Sequence, residues 1–232
     1  MLSLRMEPDH ASPLAGAVHA YNAGDFTTAF ALFSEHAEQG DAEAAAWLGA
    51  LYAHGEGVEA SLSKAFAHYL VGAEAGNPMA QTNVGAMLVM GNGVARDVAT
   101  GAAWLARAAE QGDLYAQYNL ATLYSKGEGI ARDDAAAVKW YRRAAEAGHY
   151  PSQARLGYLC ANGIGVEKDV VQAYLWLSLA AQHGIGAALA ALEAIVTQMS
   201  AAEKNRAAAE VDKWRARTRD VSRHARLMPL PG

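Results

Sequence analysis

The sequence predicts an all-α protein, a right-handed α/α superhelical solenoid of helix-turn-helix repeats. Three observations predict this fold. The chain matches itself at a shift of 36 residues, its apolar residues recur at helical spacing, and its 232 residues include 22 glycines but only 6 prolines. A period of about 20 to 50 residues is typical of stacked repeats, in which each unit buries the apolar face of its neighbour.

The repeat is marked by three glycine columns that align in four copies. The first two columns form a Gly-x-Gly turn, and the third ends each copy. The columns are Gly55, Gly91, Gly127 and Gly163; Gly57, Gly93, Gly129 and Gly165; and Gly76, Gly112, Gly148 and Gly184. Glycine suits these turns because it adopts the left-handed conformation that closes a helix without steric cost. Each copy is therefore predicted to be a helical hairpin.

The third copy shows how a hairpin is built. Ala116, Leu120 and Leu123 lie on one stripe of a first helix. After the turn, a second helix begins near Asp133, whose carboxylate can accept hydrogen bonds from the unpaired amides of the first helical turn. The residues at the equivalent position of the other copies are Ser61, Asp97 and Asp169.

Small and large residues have separate places in the copies. The middle of the first helix carries Gly49, Gly85, Ala121 and Gly157. Glycine there costs up to about 1 kcal/mol relative to alanine, so a close approach of the neighbouring helix has to offset that cost. The tryptophans of the second helices are predicted to fill the remaining volume between helices: Trp104, Trp140 and Trp176.

The two ends of the chain differ from the four central copies. Ser200 with Glu203 forms a capping box that opens a final helix ending at about Arg219, with Val211 and Trp214 as its buried seam. The predicted organisation is a flexible N-terminus at 1–12, a tetratricopeptide-like capping hairpin at 13–41, four repeats at 42–185, a capping helix pair at 186–218 and a basic flexible tail at 219–232.

These residues resemble the Sel1-like repeat, a relative of the tetratricopeptide repeat with a longer glycine-bearing loop. The resemblance covers residues 42 to 185 and rests on the Gly-x-Gly turn and on the residues that follow it, as in Asp133, Trp140, Ala144-Ala145 and Gly148. It implies an α/α solenoid that acts as a scaffold or adaptor in protein–protein interaction. Some bacterial members carry a disulfide in each repeat, and this chain, with Cys160 as its single cysteine, departs from them.

Composition and motifs limit the other classes of function. A single cysteine excludes an intramolecular disulfide and a cysteine-based zinc site. The longest apolar stretch is about half of the ~18 residues that a membrane span needs. No apolar signal-peptide core is visible, so we expect a cytoplasmic protein, or a periplasmic one if a signal has been trimmed. Because the histidines form no metal-binding pair and no nucleophile or P-loop motif is present, we expect no metal, no cofactor and no catalysis.

A binding surface is predicted on the first helices, at positions that vary between copies while neighbouring columns stay fixed. In the first copy these positions are Glu43, Ala46, Trp47, Ala50 and His54. Copies two to four carry tyrosine, methionine, asparagine and arginine there, and tyrosine and arginine are enriched at interface hot spots. We expect a protein or peptide segment to bind on the concave face through Met79, Asn83, Met90, Tyr115, Tyr118, Asn119, Arg155 and Tyr158.

One column of this face forms a ladder of polar side chains. Asn83, Asn119 and Arg155 occupy it in successive copies and could hydrogen-bond an extended peptide or its end. The ladder is similar to the carboxylate clamp of chaperone-binding tetratricopeptide domains. Asn119 and Arg155 match positions of that clamp, but Thr82 and Pro151 stand where it has lysines.

The C-terminal end suggests an alternative function. From Glu203 onward the chain has eight basic and four acidic side chains, against eleven and twenty before it. Clustered cations can bind nucleic acid or an anionic surface by releasing counterions. The cations of this end also complement the dipole of a last helix, or dock on the acidic body. They are Lys213, Arg215, Arg217, Arg219, Arg223 and Arg226.

Overall fold

The computed structural model describes residues 13–224, with side chains described for 13–218. This part of the chain contains twelve α-helices and no β-strand, which confirms the predicted all-α repeat fold. The predicted N-terminal segment 1–12 and residues 225–232 of the predicted tail lie outside the described residues. The helices are α1 (Ala15–Asn22), α2 (Phe26–Glu38), α3 (Ala42–His54), α4 (Leu62–Glu74), α5 (Pro78–Met90), α6 (Val98–Glu110), α7 (Leu114–Lys126), α8 (Asp134–Glu146), α9 (Tyr150–Asn162), α10 (Val170–Gln182), α11 (Gly186–Val196) and α12 (Ala201–His224).

The helices form two compact units, one ending at Arg132 and the other beginning at Asp133. In the first unit each helix packs against the next one along the chain, from α1 to α7, and α5 also contacts α7. In the second unit α8 packs on α9 and α9 on α10, while α10 packs on both α11 and α12. Such consecutive packing follows from the repeat, because one hairpin cannot bury its own apolar faces.

An aromatic cluster begins the core of the first unit and corrects one prediction. Trp47 stacks on Phe33 with 5.2 Å between ring centroids and lies 5.0 Å from the ring of Tyr21. Trp47 is only 1% exposed, and Ala46 and Ala50 are buried beside it in the same unit. The prediction that these positions of the first copy belong to a binding face is therefore wrong, because neighbouring helices cover them.

The predicted close approach is present wherever the first helix of a repeat carries glycine. A Cβ at that position would lie 2.6 to 2.7 Å from a large side chain of the second helix, closer than real Cβ atoms come. The pairs are Gly49 with Tyr69, Gly85 with Leu105, and Gly157 with Leu177. The small residue therefore sets the distance between the two helices of a repeat.

The two glycines of each Gly-x-Gly turn have different roles. The first ends the preceding helix in the left-handed conformation, as at Gly91 with φ of 76°. The second lies against the start of the second helix of the preceding hairpin, and a Cβ at Gly129 would come within 2.5 Å of Val98. The equivalent contacts are Gly57 with Phe26, Gly93 with Leu62, and Gly165 with Asp134. The turn thus forms part of the packing between successive hairpins.

The predicted caps of the second helices are confirmed. Each capping side chain accepts a hydrogen bond from a backbone amide of the first helical turn, at 2.9 to 3.4 Å. The caps are Ser61, Asp97, Asp133 and Asp169. Of the three tryptophans in these helices, Trp140 and Trp176 are buried, and Trp104 is half-buried with the guanidinium of Arg107 4.5 Å from its ring centroid.

The last helix begins as predicted and extends further. The backbone amide and hydroxyl of Ser200 donate to Glu203 Oε2 at 2.8 and 2.7 Å, which is the capping box. Val211 and Trp214 are buried against the second unit. The helix continues to His224, past the expected end near Arg219, since no glycine or proline interrupts the sequence between Ser200 and Pro229.

Candidate functional site

The eight residues predicted to bind a partner lie on three first helices. Those of α5 and α7 lie in the first unit, where the two helices contact each other. Those of α9 lie in the second unit. On α5 they are Met79, Asn83 and Met90; on α7, Tyr115, Tyr118 and Asn119; on α9, Arg155 and Tyr158.

Large side chains of this set are exposed although they are mainly apolar. Met90 is 68% exposed, Tyr158 50% and Tyr115 41%. Arg155 is exposed as well, whereas the other four residues are half-buried. The residues one turn away on the same helices, such as Leu120 and Leu156, are in the core. The helices thus bury one stripe and present another that is rich in tyrosine and methionine.

Polar side chains on this face are held by their own helices. The amide of Asn83 donates to the backbone oxygen of Met79 at 2.9 Å and lies 3.3 Å from its sulfur. On α7 the hydroxyl of Thr122 donates to the backbone oxygen of Tyr118 at 2.9 Å. These contacts limit the rotamers of the side chains, so a partner would meet a surface that is already ordered.

A column of buried glutamines lies beneath the face and escaped the sequence analysis. Gln81, Gln117 and Gln153 are at most 5% exposed, and each donates its amide to a backbone oxygen near the end of the preceding helix. The acceptors are Ala73, Ala109 and Ala145, at 3.0 to 3.1 Å. The 36-residue recurrence of glutamine was the available signal. The column ties the first helix of one repeat to the last turn of the repeat before it.

Reactive and metal-binding chemistry is limited in the described part of the chain. Cys160 is 1% exposed, and burial raises the pKa of its thiol although Arg142 beside it acts in the opposite direction. Among residues 13–218, no group of three or more His, Cys, Asp or Glu side chains is placed to hold a metal ion. Each described helix is too short or too polar to span a bilayer.

The cations described on α12 are partly neutralised by their own helix. Lys213 pairs with Glu210 at 2.7 Å and Arg215 with Asp212 at 3.9 Å. Arg217 stacks over the ring of Trp214, 4.7 Å from its centroid. The side chains of Arg219, Arg223 and Arg226, which complete the predicted basic end, lie outside the described residues.

Comparison with known proteins identifies the repeat. A family model for the Sel1 repeat matches residues 42–77, 78–113, 114–149 and 151–185. No protein with a curated description matches the chain. Among solved structures, a Sel1 repeat protein from Oxalobacter formigenes is 34% identical, with a TM-score of 0.71 over 77% of this chain and 73% of that one.

A second solved structure is a protective antigen present in uropathogenic Escherichia coli strains, which displays an SLR fold. It is 29% identical with a TM-score of 0.77, and the match covers 89% of this chain. This chain spans 45% of the length of that antigen. With four matched copies and these structural neighbours, the chain belongs to the Sel1 repeat family, whose repeats typically mediate protein–protein interaction and are generally non-catalytic.

Proposed function

We propose that this chain is a non-catalytic adaptor that binds a segment of another protein through the exposed stripe of its first helices. The observation that carries the proposal is the exposure of Met90, Tyr115 and Tyr158 on helices whose other faces are buried. Tyrosine offers a wide apolar contact with a polar tip, and methionine adapts to irregular surfaces. Isolated exposed apolar residues need no explanation, but here they recur on successive first helices.

The half-buried neighbours support the same role. Asn83, Tyr118 and Asn119 surround the exposed side chains on α5 and α7 and supply polar groups for a peptide backbone. On α9 of the second unit, Arg155 is exposed and can form a bidentate contact with a carboxylate of the partner. Apolar anchors with polar surroundings are the usual composition of an interface.

The test compares two triple or double variants that remove similar amounts of exposed apolar surface. The face variant carries Met90→Ala, Tyr115→Ala and Tyr158→Ala. The control carries Leu62→Ala and Val71→Ala on α4, whose side chains are 46% and 50% exposed. Partners captured by the wild-type chain are identified by mass spectrometry, and the affinity of each purified partner is measured by calorimetry.

The face variant is expected to lose about tenfold or more in affinity, the scale of a hot-spot residue, while the control stays within about twofold of wild type. Circular dichroism confirms that both variants remain folded. If every partner binds the face variant as tightly as the wild-type chain, the first helices are not the interface and the proposal fails.

A further inference from the structure

A cavity of about 300 Å³ lies in the second unit, away from the exposed stripe of the first helices. Helices α8, α10 and α12 line it. Its walls combine basic side chains with aromatic rings: Arg142 from α8, Trp176 from α10, and Lys213, Trp214 and Arg217 from α12. This combination of groups is absent from the role proposed above and asks for a ligand of its own.

An unsatisfied hydrogen-bond donor lies in the wall of this cavity. Trp176 is 3% exposed, and its indole Nε1 is buried without a hydrogen-bond partner. The ring of Trp214 packs edge-on against it, with 5.0 Å between centroids. A buried N–H group without an acceptor is costly, and indole nitrogen can only donate. The position therefore favours a ligand that brings an acceptor atom.

The charges around the cavity favour an anion. Two carboxylates lie there: Glu210 is paired with Lys213 at 2.7 Å, and Glu146 is exposed. Neither Arg142 nor Arg217 forms an ion pair with a carboxylate among the described residues. Arg217 is instead held over the ring of Trp214, which orients its guanidinium.

We propose that this cavity binds the oxyanion of a small carboxylate or phosphate ligand. Arg142 and Arg217 supply charge-assisted hydrogen bonds in the planar geometry that matches carboxylate and phosphate oxygens. Trp176 supplies a neutral donor from the wall. The site is independent of the proposed interface on the first helices, because its lining comes from α8, α10 and α12.

The indole N–H resonances of the full chain provide a direct readout. The resonance of Trp176 is identified by its loss in Trp176→Phe, and the chain is titrated separately with inorganic phosphate, acetate and chloride at matched ionic strength. Phosphate or acetate is expected to move this resonance to saturation below about 10 mM, whereas chloride leaves it in place, because non-specific surface attraction is only screened by salt. Comparing the phosphate and acetate curves shows which oxyanion is preferred.

The variant Arg142→Gln with Arg217→Gln is expected to weaken the titration by about tenfold or more, the scale of a hydrogen bond to a charged group. Arg107→Gln is the matched control, because that guanidinium also stacks on a tryptophan, at 4.5 Å from Trp104 in the first unit. If the double variant fails to fold, Arg217→Gln alone replaces it, since that side chain is exposed. A Trp176 resonance that ignores both oxyanions, or a double variant that titrates like the control, overturns the proposal.

Discussion

At the scale of single residues, the distance between paired helices depends on one missing side chain per repeat. Gly85 in α5 would, with a Cβ, lie 2.7 Å from Leu105 and 2.9 Å from the backbone oxygen of Gly101. The leucine can change rotamer, but the backbone oxygen belongs to α6 and can move only if the helix moves. Glycine is therefore retained at a position where alanine would form the better helix.

Replacing Gly85 with alanine is expected to lower the free energy of unfolding by about 1–3 kcal/mol, the usual effect of overpacking, despite the gain of up to about 1 kcal/mol in helix propensity. Urea denaturation followed by circular dichroism measures the change. Gly16→Ala in α1 is the control, because nothing lies within 4 Å of the added Cβ. A Gly85→Ala chain as stable as wild type would show that the helices are not in this contact.

Some residues could be placed from the sequence and others could not. The close approach at Gly85 followed from a glycine in mid-helix, which needs a packing reason. Trp47 could not be placed, because it shares its column with Asn83 and Asn119, which are half-buried. Whether a position of that column is core depends on which neighbouring element covers it, and the first copy alone has an aromatic hairpin before it. The binding role of the eight site residues stays a prediction.

At the scale of the helix, the boundaries follow from capping chemistry. Asp97 caps α6 through a bond from the backbone amide of Thr100 at 3.0 Å and another from its hydroxyl at 2.7 Å. These hydrogen bonds lower the pKa of the Asp97 carboxyl. The start of each second helix could thus be predicted to within a residue. The end of α12 could not, because its sequence carries no residue that stops a helix.

The lowered pKa of Asp97 predicts a loss of stability in acid. The unfolded chain binds the proton more tightly than the folded chain, so the contribution is present above the unfolded pKa of about 3.9 and is lost as the pH falls through the folded value. In Asp97→Asn the cap remains without the charge. The difference in urea midpoint between neutral pH and about pH 3 is therefore expected to be smaller in the variant than in wild type.

Glu74→Ala serves as the control for that experiment, since it removes an exposed carboxylate at the end of α4 and no cap. Its acid dependence should equal that of the wild-type chain. An Asp97→Asn variant with the same acid dependence as wild type would show that this cap does not couple protonation to folding.

At the scale of the whole molecule, each unit has a core of its own. The first contains the cluster around Trp47 and a second cluster around Tyr69 and Val84. The second unit buries Trp140, Trp176 and Leu156. In repeat proteins stability is approximately a sum of repeat terms and nearest-neighbour terms. Such a chain can unfold in parts, and a cut between units should differ from a cut inside one.

A fragment of residues 1–132, which ends where the first unit ends, is expected to fold with a cooperative urea transition because it keeps all seven helices of that unit. A fragment of residues 1–96 removes α6 and leaves the α5 surface around Gly85 without its partner, so it should have a lower midpoint than the longer fragment. Circular dichroism and fluorescence of the buried Trp47 follow both transitions. If the 1–132 fragment gives the spectrum of an unfolded chain, or is no more stable than the 1–96 fragment, the first unit does not fold by itself and the additive description of this repeat array is wrong.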